Sequence, residues 1–422
     1  MTSSNAIEAI WRMESAKLIA ALTRMVRDIS LAEDLAQDAL VIALEQWPIR
    51  GTPDNPGAWL MTTAKRRAID LIRKNKLRDR KYEEFGRNND LYSVIDYELE
   101  STVDGEISDD LLRLIFTTCH PILSREARIA LTLRLLGGLS TDEIAHAFLV
   151  TESTIAQRIV RAKRTLREAQ VPFEMPEGNE LEERLLTVLE VIYLMYNEGY
   201  MATSGGNLMR PLLCQEALRL GRILAEIMSH EPEVHGLVAL MEIQSSRFNT
   251  RVNSRGEPIL LMDQNRTLWD HLLIQRGLSS LEKARNLGHP LGPYTLQAAI
   301  SACHAEARTA SETDWVRIAA LYEALARISP SPVIELNRAM SIAMAFGPAF
   351  GLQLVDEFKS DPSLKDYHLL PSVRGDLLVK LGRLDEAHEE FMRASALTNN
   401  ARERDLLLKR ANECNLDKPS NH

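Results

Sequence analysis

Nine cations crowd one short stretch: between Met61 and Lys81 stand Lys65, Arg66, Arg67, Arg73, Lys74, Lys76, Arg78, Arg80 and Lys81, against Asp70 and Asp79. Their chemistry is non-covalent. Cationic side chains in a row neutralise phosphates and release counterions, although the same charges also suit a solvated helix end that complements the dipole. A second set lies between Glu152 and Glu168, where Thr154, Gln157, Arg158, Arg161 and Arg164 occur with no acid between them. Hydroxyl, amide and guanidinium groups at the start of a helix can read base edges while arginines farther along meet phosphates. A helical hairpin with a basic solvated face is the competing reading of those residues.

Spacing for covalent or metal chemistry is missing. Cys119, Cys214, Cys303 and Cys414 are scattered, and His120, His146, His230, His235, His271, His289 and His304 do not pair with them or with acids at ligand spacing. Neither a disulfide framework nor a zinc site is expected. No phosphate-binding glycine fingerprint or nucleophile elbow occurs. The expectation is therefore no catalytic residue, no metal, no cofactor and no enzyme activity. The N-terminus, Met1-Thr2-Ser3-Ser4-Asn5, has no basic region followed by an apolar stretch, and no apolar run approaches the roughly 20 residues that span a bilayer. A cytoplasmic location with no membrane partner is expected.

The elements that must hold the basic residues are helices, because apolar residues recur at three- and four-residue intervals throughout. The fold class expected is all-α. Ser30-x-x-Glu33 reads as a capping box opening a helix that runs to about Trp47, where Pro48 follows. That helix presents Leu35, Ala39 and Ile42 on one face and gathers Glu33, Asp34, Gln37 and Asp38 near its start, where acids also suit the dipole. Asn55 can cap the next helix, with Pro56 at its first position, and this is the helix that turns basic. Ser140-Thr141-Asp142-Glu143 is another capping box, opening a helix through Phe148; Leu149-Val150-Thr151 makes a turn, and a helix follows from about Ser153 to Arg167. Ile155, Ile159, Ala162 and Leu166 form its apolar stripe. This is helix-turn-helix spacing, with Leu149 where such turns often carry glycine.

The formal net charge of -9 is unevenly spread. Residues 83–110 hold 10 acids and a single base, Arg87. The rest of residues 1–173 carries 23 basic against 15 acidic side chains, whereas residues 174–422 carry 26 against 34. A polyanion suits the first part, and protein contacts suit the second.

Taken together, the string Ala32-Glu33-Asp34-Leu35-Ala36-Gln37-Asp38-Ala39-Leu40, then Asn55-Pro56-Gly57-Ala58-Trp59-Leu60, then Arg67-Ala68-Ile69-Asp70-Leu71-Ile72-Arg73, closely resembles sigma region 2. Leu139-Ser140-Thr141-Asp142-Glu143-Ile144-Ala145 and Arg158-Ile159-Val160-Arg161-Ala162-Lys163-Arg164 resemble sigma region 4. The family is the extracytoplasmic-function (ECF) group of sigma-70-type RNA polymerase sigma factors. The resemblance implies that Asp34, Gln37 and Asp38 contact the core RNA polymerase, whose beta and beta-prime subunits would be partners. It implies promoter-DNA contacts by Lys65, Arg66, Arg67, Arg73 and Lys74 at the -10 element, and by Ser153, Thr154, Gln157, Arg158, Arg161, Lys163 and Arg164 at the -35 element. Arg66 departs from the pattern, since many relatives carry Asn there.

The domains expected are region 2 over 1–82, an acidic linker over 83–110, region 4 over 111–173 and a helical C-terminal extension over 179–422. The linker reads either as a solvated tether or as carboxylates that occupy the polymerase's basic nucleic-acid channel. Within the extension, Gly375, Gly382, Ala387, Phe391 and Ala394 match tetratricopeptide spacing, so a TPR-like helical-repeat array is expected. Two polar segments stand out, Tyr196–Asn207, with Gly205-Gly206, and Asn249–Arg266. Either binding or ordinary structure accounts for them. The whole chain resembles the sigma-factor subgroup whose C-terminal domain acts in cis, often without a separate anti-sigma factor, and a protein or small-molecule signal at this domain is a further expected partner. The alternative is a helix-turn-helix regulator with a helical-repeat sensor that does not join core polymerase. It leaves residues 30–82 without a purpose.

Overall fold

The structure is a computed structural model that describes residues 3–82, 104–148, 150–202, 208–359, 361, 364–365 and 367–416. The described chain is helical, with a single antiparallel bridge, Val252 to Pro258, and no strand among the described residues. It divides into two compact units, Met1–Ile192 and Tyr193–His422.

In the first unit, α1 (Ser3–Val26), α2 (Ile29–Arg50) and α3 (Pro56–Tyr82) pack on one another, and α1 also receives α4 (Asp104–Thr118). Small side chains permit the close approach: Ala20, Ala32, Ala36, Ala39, Ala64 and Ala68 are all fully buried. An edge-to-face pair, Trp47 with Trp59 at 5.3 Å, joins the end of α2 to the start of α3. Asn55 caps α3 as its sequence predicts, its Oδ1 accepting from Ala58 N at 3.0 Å.

The start of α2 differs from expectation. Its cap is Asp28, whose Oδ1 accepts from Ser30 N at 2.8 Å and Leu31 N at 3.0 Å. Asp and Ser are about equally good caps, and with Asp28 in that role Glu33 is free to take another partner. At the far end the helix continues through Pro48 to Arg50. Proline there forfeits one bond in the last turn, and Gly51, at φ +87°, closes the helix by donating to Trp47 O at 2.9 Å.

Three further helices complete the helix-turn-helix part: α5 (Arg125–Leu135), α6 (Thr141–Phe148) and α7 (Glu152–Glu168). The Ser140 capping box is present in both directions, with Ser140 N donating to Glu143 Oε2 at 2.8 Å and Glu143 N donating to Ser140 Oγ at 3.1 Å. Thr151 caps α7. The stripe Ile155, Ile159, Ala162 and Leu166 is buried as its spacing requires. Leu149 lies outside the described residues, as does 83–103 of the acidic stretch. The end of that stretch, 104–110, is the beginning of α4.

Helix α8 (Asn179–Tyr200) contributes its first part to this unit, where Arg184 Nη2 donates to Phe116 O at 2.7 Å. Its last residues open the second unit, which continues through α9 (Pro211–Ile227), α10 (Pro232–Ser245), α11 (His271–Asn286), α12 (Pro293–Glu306), α13 (Trp315–Ile328), α14 (Pro332–Phe346), α15 (Pro348–Phe358), α16 (Leu369–Lys380), α17 (Leu384–Leu397) and α18 (Ala401–Leu416). From α9 to α18, each helix packs on the next. Five of them begin on proline, whose missing N–H costs nothing at a helix start. The α16–α17 hairpin shows why the repeat-like spacing exists. Gly375 lets the two backbones close on the Phe391 ring, since a Cβ there would stand 2.8 Å from Phe391 Cε1.

Candidate nucleic-acid interface

Helix α7 turns its apolar stripe inward, and the opposite face is open. Ser153, Thr154, Gln157, Arg161 and Arg164 are exposed and Arg158 is half-buried. Arg164 is tethered along the helix to Glu168 at 2.7 Å, an i,i+4 pair that leaves its guanidinium at the surface. The first turn thus offers hydroxyl and amide donors, and the later turns offer cations. That is the order in which a helix laid in a major groove meets base edges and then phosphates.

Helix α3 places its predicted cations less uniformly. Arg66, Arg73 and Lys74 are exposed. Arg67 is exposed and donates to Asp38 Oδ2 at 2.6 Å, so one residue expected at DNA is joined to one expected at polymerase. Lys65 is buried, at 7% exposure, on the inner face beside Ala64 and Ala68. The side chains of Lys76, Arg78, Arg80 and Lys81 lie outside the described residues. On α2, Asp34 is exposed and Gln37 and Asp38 are half-exposed; Gln37 Nε2 donates to Glu33 Oε1 at 2.9 Å.

The residue that binds these pieces together is Glu33, only 5% exposed. Its Oε1 accepts from Arg134 Nε on α5 at 2.7 Å, and its Oε2 accepts from Lys163 Nζ on α7. Burial alone would raise the Glu33 carboxyl, but the adjacent Lys163 and Arg134 outweigh it and hold it below its ordinary range. Lys163, assigned to DNA by resemblance, is therefore directed at α2 in this arrangement. Around it, Arg12 pairs with Glu143, Arg167 Nε reaches Asp28 Oδ2 at 3.1 Å, and the buried Asp110 bridges Arg24 at 3.2 Å and Arg113 at 2.8 Å. Charge pairs thus stitch α1 and α2 to the helix-turn-helix helices and to α4.

A sequence signal for the Glu33 contact exists. Glu33 stands at i, with Ala36, Ala43 and Trp47 at i+3, i+10 and i+14, all buried on one stripe. Lys163 likewise falls four residues after Ile159 and three before Leu166. A charge on an apolar stripe signals a buried partner.

Among the described residues no group of His, Cys, Asp or Glu is arranged to hold a metal ion, and the four thiols are free and buried. No helix among them is long and apolar enough to cross a membrane.

The sigma-70 region 2 family matches residues 10–78 and the sigma-70 region 4 family matches residues 113–166. These matches define a sigma-70-type transcription protein, of a class that acts with core RNA polymerase and promoter DNA and whose members are transcription factors rather than enzymes. Residues 184–285 match a family described as of unknown function, DUF6596. An uncharacterized protein of Rhizobium meliloti, R00370, is 40% identical over 407 residues, covering 96% of this chain and 94% of its own. The ECF RNA polymerase sigma factor SigK of Mycobacterium ulcerans is 29% identical over 150 residues, 35% of this chain and 75% of its own. The probable ECF RNA polymerase sigma factor SigI of Mycobacterium tuberculosis H37Rv is 28% identical over 174 residues, 40% of this chain and 58% of its own. The chain belongs to the ECF sigma factors and carries a helical extension behind region 4.

Proposed function

We propose that this sigma factor binds bacterial core RNA polymerase through α2, with Asp34, Gln37 and Asp38 as contacts to the beta and beta-prime subunits, and selects promoters with α3 and α7. In this reading 1–82 is region 2, 83–110 the linker, 111–173 region 4, and 179–422 a domain that regulates them in cis. Arg66, Arg73 and Lys74 meet the -10 element, and the exposed face of α7 meets the -35 element. The observation that carries the reading is that face, on which Ser153, Thr154, Gln157, Arg161 and Arg164 stand exposed behind a capped turn. Melting requires no covalent step, because a base captured outside the stack costs a few kcal/mol that binding supplies. The ion pairs of Glu33 with Lys163 and Arg134 tie α2 to α7 and α5. The acidic surplus of residues 174–422 supports a protein-facing regulatory role for the extension, which receives a protein or small-molecule signal. A cytoplasmic location belongs to the same reading.

The test is competition between the full-length chain and a housekeeping sigma factor for purified core polymerase. Binding weakened by Asp34→Lys and by Asp38→Lys is the expected result. Failure of both the full-length chain and residues 1–173 to bind would overturn the reading in favour of a stand-alone regulator. Binding by residues 1–173 alone would mean that the extension holds the factor inactive.

A further inference from the structure

Three arginines gather in the second unit, around the irregular segment between α10 and α11. Arg251 and Arg266 are buried, at 8% and 6% exposure, and Arg247 is half-buried. Their guanidinium groups lie on aromatic rings. Arg251 sits 3.7 Å from the Tyr200 ring centroid, while Arg247 and Arg266 lie 5.5 Å and 5.3 Å from that of Trp269. Among the described residues none of the three has an ion-pair partner, although buried cations are ordinarily paired. Burial depresses Arg251 and Arg266 and the nearby positive Arg247 depresses both further, with Tyr200, Tyr196 and Cys214 offsetting part of this at Arg251 and Glu312 offsetting part at Arg266.

Arg266 has a structural task. It donates to His304 O at 2.7 Å, Ala307 O at 3.1 Å and Thr313 Oγ1 at 2.8 Å. The other two are under-used. Arg247 donates through Nε to Gln264 Oε1 at 3.1 Å, and Arg251 donates through one terminal nitrogen to Tyr200 O. A guanidinium has five N–H donors in a planar fork, so most of their donors have no protein acceptor among the described residues. Five buried polar atoms in the same neighbourhood have no hydrogen-bond partner: Tyr200 Oη, Gln244 Oε1, Arg266 Nε, Trp269 Nε1 and His304 Nδ1. Burial, with Arg247 and Arg266, pushes the His304 imidazole down to about 3, so it is neutral at physiological pH and adds no fourth charge.

We infer that Arg247 and Arg251 form a binding site for a small phosphate-bearing ligand, with Arg266, Tyr200 and Trp269 as its rigid support. The charge match selects the class. A singly charged carboxylate leaves one of the two arginines uncompensated, whereas a phosphate near pH 8 carries close to two negative charges and several acceptor oxygens for planar forks. Phosphate at this place removes the mutual repulsion of the arginines and stiffens the segment between α10 and α11. This assigns a ligand class to the extension, and it depends on neither polymerase nor DNA binding.

The experiment is thermal unfolding of the full-length chain at pH 8 in inorganic phosphate, with chloride and acetate at equal ionic strength. A saturable rise in unfolding temperature specific to phosphate is expected, because a ligand that binds the folded state stabilises it. Arg247→Gln should weaken phosphate binding about tenfold or more, while Arg255→Gln, at an exposed arginine of the same segment, should leave it unchanged. Arg247→Lys keeps the charge and loses the fork, so a smaller but measurable loss is expected and serves if the glutamine variant does not fold. The inference is overturned if wild type shows no phosphate-specific rise, or if its affinity survives Arg247→Gln or, where that variant does not fold, Arg247→Lys.

Discussion

Replacing Glu33 with glutamine keeps the shape of the side chain and removes its charge, which leaves Lys163 and Arg134 facing a neutral amide. The side chains of these two cations are 14% and 24% exposed, so water screens them only in part. Two charge-assisted hydrogen bonds at about 1.5–3 kcal/mol each bound the loss, and removal of one partner from a buried pair costs about 3–5 kcal/mol. Partial exposure of the cations and the remaining amide acceptor place the expected value near the bottom of that range, about 3 kcal/mol. For a unit of this size that is a fall of roughly 6–12 °C in unfolding temperature. Calorimetry of the full-length chain, with denaturant unfolding followed in parallel, measures it. The pH dependence is a second signature. The folded carboxyl lies below its unfolded value, so its contribution is complete above the unfolded pKa of about 4.3 and is lost as pH falls through the folded value. The gap between wild type and Glu33→Gln should therefore narrow in acid and stay constant from pH 6 to 8. A difference below about 0.5 kcal/mol at neutral pH, the range of ordinary surface substitutions, refutes the claim that Glu33 ties α2 to α7.

Two further outcomes follow from single positions. Arg161→Ala should weaken binding of polymerase holoenzyme to its promoter by about 1–3 kcal/mol if the side chain reads a base edge, and should instead reduce the salt dependence by about one ion if it meets a phosphate; footprinting or titration across salt concentrations separates the two, and no change refutes the placement of α7. Gly375→Val forces side-chain atoms onto the Phe391 ring and should cost about 1–3 kcal/mol by overpacking, read as a fall of several degrees in the unfolding temperature of the C-terminal unit; unchanged stability would mean that the α16–α17 hairpin relaxes freely.

Local rules made much of this protein readable in advance. The Ser140–Glu143 box closes over four residues, Asn55 caps the helix that starts beside it, and the stripe from Ile155 to Leu166 repeats at helical period. Each of these depends on neighbours in the chain, so the amino-acid order determines it, and the all-α class and the helix-turn-helix follow. Tertiary packing decided where local rules were nearly balanced or silent. Ser30 and Asp28 both satisfy the cap rule, and Asp28 prevails because Glu33 is drawn to Arg134 and Lys163, 101 and 130 residues away. The same long-range contact turns Lys163 away from the exposed face of α7. Likewise Arg247, Arg251 and Arg266 look like ordinary surface cations in the sequence, and only the fold lays them on Tyr200 and Trp269 with no ion-pair partner among the described residues. The physical reason is range: hydrogen bonds and periodicity act within a few residues of sequence, whereas burial and charge pairing depend on which distant groups the folded chain brings within a few ångströms.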